Sequence, residues 1–283
     1  MLVAVTVDAA STSASGATSS TADDLAFASE LARAASRILM DRYERVERID
    51  YKSARDVVTE VDHLSEALII AAIRERFPTD GILAEESGAH ASGGGDAPTS
   101  GSGRVWIIDP VDGTINYANG IPFFCVSIGL AVDGRPSVGV VLDPTRGELF
   151  AAAADGPATL NGQLITASDK DKLSDFVVQM ALSGRSVVSR ARSVRKQIRI
   201  SRSMGSSALG LAYVANGRFD AFIQQSGMSN WDVAAAALIA ERAGATVTAM
   251  DGGPWFDIGR KSGSVGAIAA PAAQHGALLA LAK

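Results

Sequence analysis

The sequence contains one cysteine, Cys125, in 283 residues. No disulfide can form within the chain, and a thiolate zinc site is excluded. The three histidines, His63, His90 and His275, are too few and too scattered for a His-rich metal site. No apolar run approaches the ~18–20 residues that a membrane-spanning helix needs. Basic charge is not in excess either. Against 31 Asp and Glu stand 26 Lys and Arg, for a net charge of −5, which argues against a strongly basic nucleic-acid binder. A G-x-S-x-G elbow and a G-x-x-x-x-G-K loop are both missing. Residues 1–21 have no Lys or Arg, and 9–20 consist of Ala, Ser, Thr and Gly. Without a positive start this is no secretory signal, and residues 1–21 read as a disordered leader. Lone-cysteine usage fits a cytoplasmic protein.

Apolar residues make up 47% and charged residues 20%, enough apolar surface to offset ordering entropy. The length suits one or two closely packed units. Leu25, Ala28, Leu31, Ala32, Ala35, Ile38 and Leu39 recur at helical spacing behind Asp23 or Asp24 as cap. A second helix starts near Asp62. Residues 87–103 are a low-complexity surface loop. Residues 105–108 form a short strand ending at Asp109-Pro110, and 123–132, 138–142 and 148–153 read as further strands. Beyond Asn161-Gly162, helices over 187–198, 205–216 and 231–243 alternate with strands over 219–223, 246–250 and 264–269. This order predicts an α+β unit over 22–158 joined to an α/β unit over 159–283.

Chemistry enters at Asp109-Pro110-Val111-Asp112-Gly113-Thr114. Two carboxylates three residues apart at a strand end converge if the turn is tight, and Gly113 permits close backbone approach. With a backbone carbonyl they make a hard-oxygen set that suits Mg²⁺. Three other signals are bland alone. Glu85-Glu86 reads as a solvated turn, Thr59 to Asp62 as a helix start and Trp231-Asp232 as a helix cap. Together, Glu85, Asp109, Asp112 and Asp232 bring four negative charges. Two carboxylates ~4 Å apart repel by about 4 kcal/mol at an effective dielectric near 20. Sharing one site requires cations, and two Mg²⁺ balance the charge.

The segments D-V-V-T-E-V-D (56–62), I-L-A-E-E-S (82–87), W-I-I-D-P-V-D-G-T-I-N-Y (106–117) and W-D-V-A-A-A-A-L-I-A-E-R-A-G-A (231–245) resemble the inositol monophosphatase family. That family belongs to the lithium-sensitive, magnesium-dependent phosphatases. The resemblance implies a layered α-β-α-β-α sandwich, usually a homodimer. It implies that Glu85, Asp109 and the Val111 carbonyl hold one Mg²⁺, that Asp109, Asp112 and Asp232 hold a second, and that a third, weaker ion sits near Glu85. Gly113 and Thr114 amides would receive phosphate. Thr114, paired with Asp62, would help deprotonate the attacking water, with Glu86 near that network. Lys52 and Asp56 sit where the family has a mobile metal-site loop.

In animal members a Glu seven residues before the metal Asp binds inositol hydroxyls. That count falls here on Gln225, with Ser207 beside the same pocket, so the substrate contacts expected are Asp112, Gly113, Thr114, Ser207, Gln225 and Asp232. The expected reaction is hydrolysis of inositol 1-phosphate or a similar polyol phosphate. Histidinol phosphate, fructose 1,6-bisphosphate and 3′-phosphoadenosine 5′-phosphate are the alternatives. Residues 185–202 carry seven Lys and Arg and no acid. They read as a solvated helix face, or, on a second hypothesis, as a contact for RNA or a transcription complex. Cys125 is expected in the core, His63 on the surface, and Trp106 and Trp231 as packing anchors.

Overall fold

The computed structural model describes residues 19–45, 49–53, 56–90, 103–182 and 188–283. The expected leader up to residue 18, residues 91–102 of the low-complexity segment, Arg185, and the side chains of Lys52 and Asp56 lie outside what is described. In chain order the elements are α1 (Thr21–Arg42), β1 (Ile49–Ser53), β2 (Asp56–Thr59), α2 (Glu60–Arg76), β3 (Gly81–Ala84), β4 (Gly88–His90), β5 (Arg104–Asp112) and α3 (Thr114–Ala118). A meander follows: β6 (Cys125–Val132), β7 (Arg135–Asp143), β8 (Glu148–Ala153), β9 (Thr159–Leu160) and β10 (Gln163–Leu164). Then come β11 (Val177–Ala181), α4 (Val188–Gln197), β12 (Ile200–Arg202), α5 (Ser207–Ala215), β13 (Ala221–Met228), α6 (Asn230–Arg242), β14 (Ala245–Ala249), β15 (Val265–Pro271) and α7 (Ala272–Ala282).

Helix α1 starts one turn earlier than its acidic pair suggested. Ser20 caps it, accepting the Asp23 amide at 3.1 Å. Asp24 is instead buried and takes both guanidinium nitrogens of Arg104 at 2.9 Å. The first sheet has the order β10-β9-β8-β7-β6-β5-β3-β4, and the second β12-β11-β13-β15-β14. Asn161-Gly162 is a hairpin turn with both residues at positive φ, joining β9 to β10 within the first sheet. The two sheets therefore divide between Leu164 and Val177.

The layers follow from strands that alternate toward two covered faces. Along β6, Val126, Ile128 and Leu130 face α1 and α2, while Cys125 faces α5 and α6. Helices α5 and α6 fill the space between the sheets, and α4 and α7 cover the far face of the second. The result is the expected α-β-α-β-α sandwich. Helix α6 lies unusually close to the first sheet because small residues meet there. A Cβ on Gly139 would sit 2.5 Å from the Ala235 carbonyl oxygen, and one on Gly129 3.1 Å from the Ala234 Cβ. Ala-rich helix and glycine-bearing strands are thus one packing device, and it presses the start of α6 against β5 and β6.

Candidate active site

Strands β3 and β5 run parallel, with Ala84 beside Ile108. The Glu85 amide continues the ladder by donating to the Ile108 carbonyl at 3.1 Å, which sets Glu85 next to Asp109. Residues three apart in a regular strand point to opposite faces. Here Asp109 pairs with Ser127 and Asp112 with Cys125, so β5 spends one residue more than β6 between them. This bulge turns both carboxylates to the inner face. Pro110, expected to end the strand, lies within the bulge, where its missing N–H costs no ladder bond, and the strand runs on to Asp112.

The third carboxylate arrives from α6. Asp232 lies in its first turn and accepts the Ser229 amide at 2.5 Å. Oxygens of Asp109, Asp112 and Asp232 all lie within 4.8 Å of one another. A cavity of about 170 Å³ is lined by these three, by Glu85, Val111, Gly113 and Thr114, and by Ile115 and Gly205 at its edges. Burial pushes the Asp109 carboxyl well above the usual range, and the charges of Glu85, Asp112 and Asp232 push it further. Asp112 is also raised by burial, opposed by the Ser206 hydroxyl at 2.5 Å and the Ala208 amide at 2.6 Å, both at the start of α5. Crowded buried carboxylates with no Lys or Arg among the lining residues fit hard divalent cations.

Thr114 Oγ1 lies 3.0 Å from the Val111 carbonyl oxygen and 3.1 Å from Asp62 Oδ1, and donates to them. The other oxygen of Asp62 accepts the Thr59 amide at 2.9 Å and the Thr59 hydroxyl at 2.6 Å, closing a capping box on α2. Gly113, at φ 100°, precedes α3, whose start carries no side-chain cap. A Cβ on Gly113 would come within 3.1 Å of the Phe123 carbonyl oxygen, so both conformation and space require glycine.

Of the residues anticipated from sequence, Glu85, Asp109, Val111, Asp112, Gly113, Thr114 and Asp232 meet at this cavity, and Asp62 touches it through Thr114. Glu86 follows in the same turn without lining the cavity. Ser207 begins α5 beside Ser206, and its hydroxyl donates to Gln224 Oε1 at 3.0 Å. Gln225 lies elsewhere, in a separate cavity of about 380 Å³ with Met250, Asp251 and Arg260. The β13–β15 ladder slips just beyond Gln224. Between Gln224 and Met228, β13 advances four residues while β15 advances two, Ala267 to Val265. Adjacent strand residues face opposite ways, and it is Gln224, not Gln225, that stands against Ser207.

Three buried groups escaped the sequence reading. Ser206 bonds Asp112; its signal was a serine just before an apolar helix. Asn116 donates to the Phe123 and Met204 carbonyls at 2.7 Å each, tying α3 to the approach to α5. Glu66 accepts the Glu86 amide at 2.9 Å; its signal was a place one helical turn after Asp62. Cys125 is buried, 3.8 Å from Asp112 Oδ2, His63 is exposed, and Trp106 is buried with its indole N–H on Asp80.

A profile of the inositol monophosphatase family matches residues 21–283. A Pseudomonas aeruginosa protein named Nus factor SuhB is 37% identical over 80% of this chain and 84% of its own. Inositol monophosphatase 2 of Solanum lycopersicum is also 37% identical, over 81% of this chain and 88% of its own. The crystal structure of the extragenic suppressor protein suhB from Bartonella henselae superposes with a TM-score of 0.82 at 32% identity, covering 92% of this chain and 98% of that one.

Proposed function

Because the chain belongs to the inositol monophosphatase family, we propose that it is a magnesium-dependent phosphomonoesterase hydrolysing inositol 1-phosphate or a similar small polyol phosphate. One observation carries this reading: three converging carboxylates share the wall of one cavity with Thr114, whose hydroxyl is held by Asp62. Glu85, Asp109, the Val111 carbonyl, Asp112 and Asp232 would hold two or three Mg²⁺. When bound, the ions would neutralise the phosphate and make water a stronger acid.

The protein's own groups supply the rest. Thr114 gives its hydroxyl proton to Asp62, which leaves its oxygen lone pairs to accept from the attacking water. The capping bonds from Thr59 hold Asp62 in place, so its other oxygen is already aimed at Thr114. Amides of Gly113 and Thr114, at the uncapped start of α3, would receive phosphate oxygens. Attack is in line, without a phosphoenzyme. Ser207 and Gln224 offer a hydroxyl and an amide to substrate hydroxyls, a neutral pair that suits a polyol better than a cationic substrate. A homodimer, cytoplasmic location and lithium inhibition belong to the same reading.

The direct test is phosphate release from inositol 1-phosphate, histidinol phosphate, fructose 1,6-bisphosphate, 3′-phosphoadenosine 5′-phosphate and glycerol 2-phosphate, with Mg²⁺ and with EDTA. Magnesium-dependent turnover led by inositol 1-phosphate is expected. No turnover by a folded chain that binds Mg²⁺ would refute the proposal. A second reading, contact with RNA or a transcription complex, draws on the Nus-factor name of the Pseudomonas relative. It draws also on α4, where Arg192, Arg195 and Lys196 are exposed. It expects salt-dependent RNA binding that survives Asp109→Asn.

A further inference from the structure

The turn 85–87 connects β3 to β4, and only the Glu85 amide is held there by the sheet ladder. One side chain from α2 holds the next two residues. Glu66 is 3% exposed. Its two oxygens divide the work: Oε2 accepts the Glu86 amide at 2.9 Å, and Oε1 accepts the Ser87 amide at 2.9 Å and the Ser87 hydroxyl at 2.5 Å. Three donors converge on this carboxylate, and among the described residues no cation pairs with it. The Ser87 hydroxyl has a single proton, committed to Glu66. His90 Nε2, 2.6 Å from the same oxygen, must therefore be the donor in that contact. The relay runs from His90 through Ser87 into Glu66, with every donor pointing at the buried carboxylate.

We propose that Glu66 is a positioning residue for divalent-metal binding: by clamping the 85–87 turn to α2 it fixes Glu85 at the Asp109 cluster. The inference rests on the proposed role of Glu85 as a metal ligand. Its logic is electrostatic as well as steric. Asp109 and Glu85 repel when both are ionised, as the raised Asp109 carboxyl reflects. A turn without the Glu66 bonds would resist that repulsion less well. Three bonds to a carboxylate rooted in a packed helix oppose it. The same helix carries Asp62 one turn earlier, so α2 serves the Thr114 pair and the Glu85 turn together.

The test measures Mn²⁺ binding to the metal-free full chain without substrate, with free ion counted by electron paramagnetic resonance. Glu66→Gln keeps the shape of the side chain but turns a donor toward donors. It should weaken Mn²⁺ binding by about 10- to 100-fold, the range usual for groups that orient metal ligands. Magnesium half-saturation of turnover should rise in parallel, with KM for substrate little changed. Ser87→Ala, an exposed position, removes one of the three bonds and should shift affinity in the same direction by less. Wild-type affinity in a folded Glu66→Gln chain would overturn the proposal. So would a Glu66→Gln loss matched by an equal loss of metal-free stability, with Ser87→Ala unaffected, since that marks a structural role only. A wild-type chain that binds Mn²⁺ but hydrolyses nothing refutes the phosphatase reading alone, and the affinities still decide this one. A wild-type chain that binds no divalent ion overturns both.

Discussion

Asp62 and Asp232 each do two things with one carboxylate. Asp62 caps α2 through one oxygen and receives Thr114 on the other. Asp232 caps α6 and stands in the carboxylate cluster. Each was legible in the sequence as an ordinary helix start, and that reading is correct as far as it goes. Only the company of Asp109 and Asp112 reveals the second use. The double role separates stability from activity in a variant. Asp232→Asn keeps an acceptor for the Ser229 amide, so its cost to folding should stay within ~1 kcal/mol. It removes a charge the cluster needs, and kcat/KM should fall about 100-fold or more, ~2.7 kcal/mol of transition-state stabilisation. Steady-state kinetics at saturating Mg²⁺ beside a urea melt checks both halves. Comparable losses in the two would mean that the cap, not the cluster, is what the residue serves.

Periodicity exposed most helices and strands, because both sheets are covered on two faces and their apolar runs are plain. Bulges were hidden. Pro110 reads locally as a strand stop, and nothing in its neighbours says that the ladder resumes at Asp112. Gln224 and Gln225 are chemically identical, so only the strand's orientation in the folded sheet tells which one turns toward Ser207. A bulge changes parity, and parity cannot be read from a sequence that does not show its partner strand. The contact between α6 and the first sheet was half legible, as an Ala-rich helix without the glycines that receive it. Gly139→Ala tests that contact. The added methyl meets the Ala235 backbone, and overpacking of this kind typically costs ~1–3 kcal/mol. Chemical denaturation should show that loss, together with weaker metal binding as α6 moves Asp232 outward. Unchanged stability would mean that the layers yield more easily than their spacing implies.

For the molecule as a whole, the carboxylate cluster is a standing cost that bound metal would offset. The Asp109 pKa is raised in the fold above its ordinary value of about 3.9. A group so shifted favours folding at low pH and loses that contribution as pH rises through the folded value. Metal-free Asp109→Asn should therefore melt above metal-free wild type at pH 7.5, with the gap closing as pH falls toward 4. Mg²⁺ reverses the order, because wild type gains ~2.7 kcal/mol at a hundred times Kd and the variant does not. His275 works in the opposite direction. Burial lowers its pKa, so its contribution is present above about 6.5 and lost as pH falls through the folded value. The two chains share it, and their difference isolates the cluster.

Helix α6 lies between the sheets, and it is made late. A ribosome that has released β5 through β10 has completed the first sheet with Cys125, Val141 and Phe150 on the face that α5 and α6 later cover. The nascent chain therefore presents a bare apolar sheet while more than a third of its length is still to come, a natural client for a chaperone. Asp232 emerges with the helix that ends this exposure. Synthesis thus cannot yield an active half-made enzyme, because the last carboxylate of the site is carried by the element that closes the core.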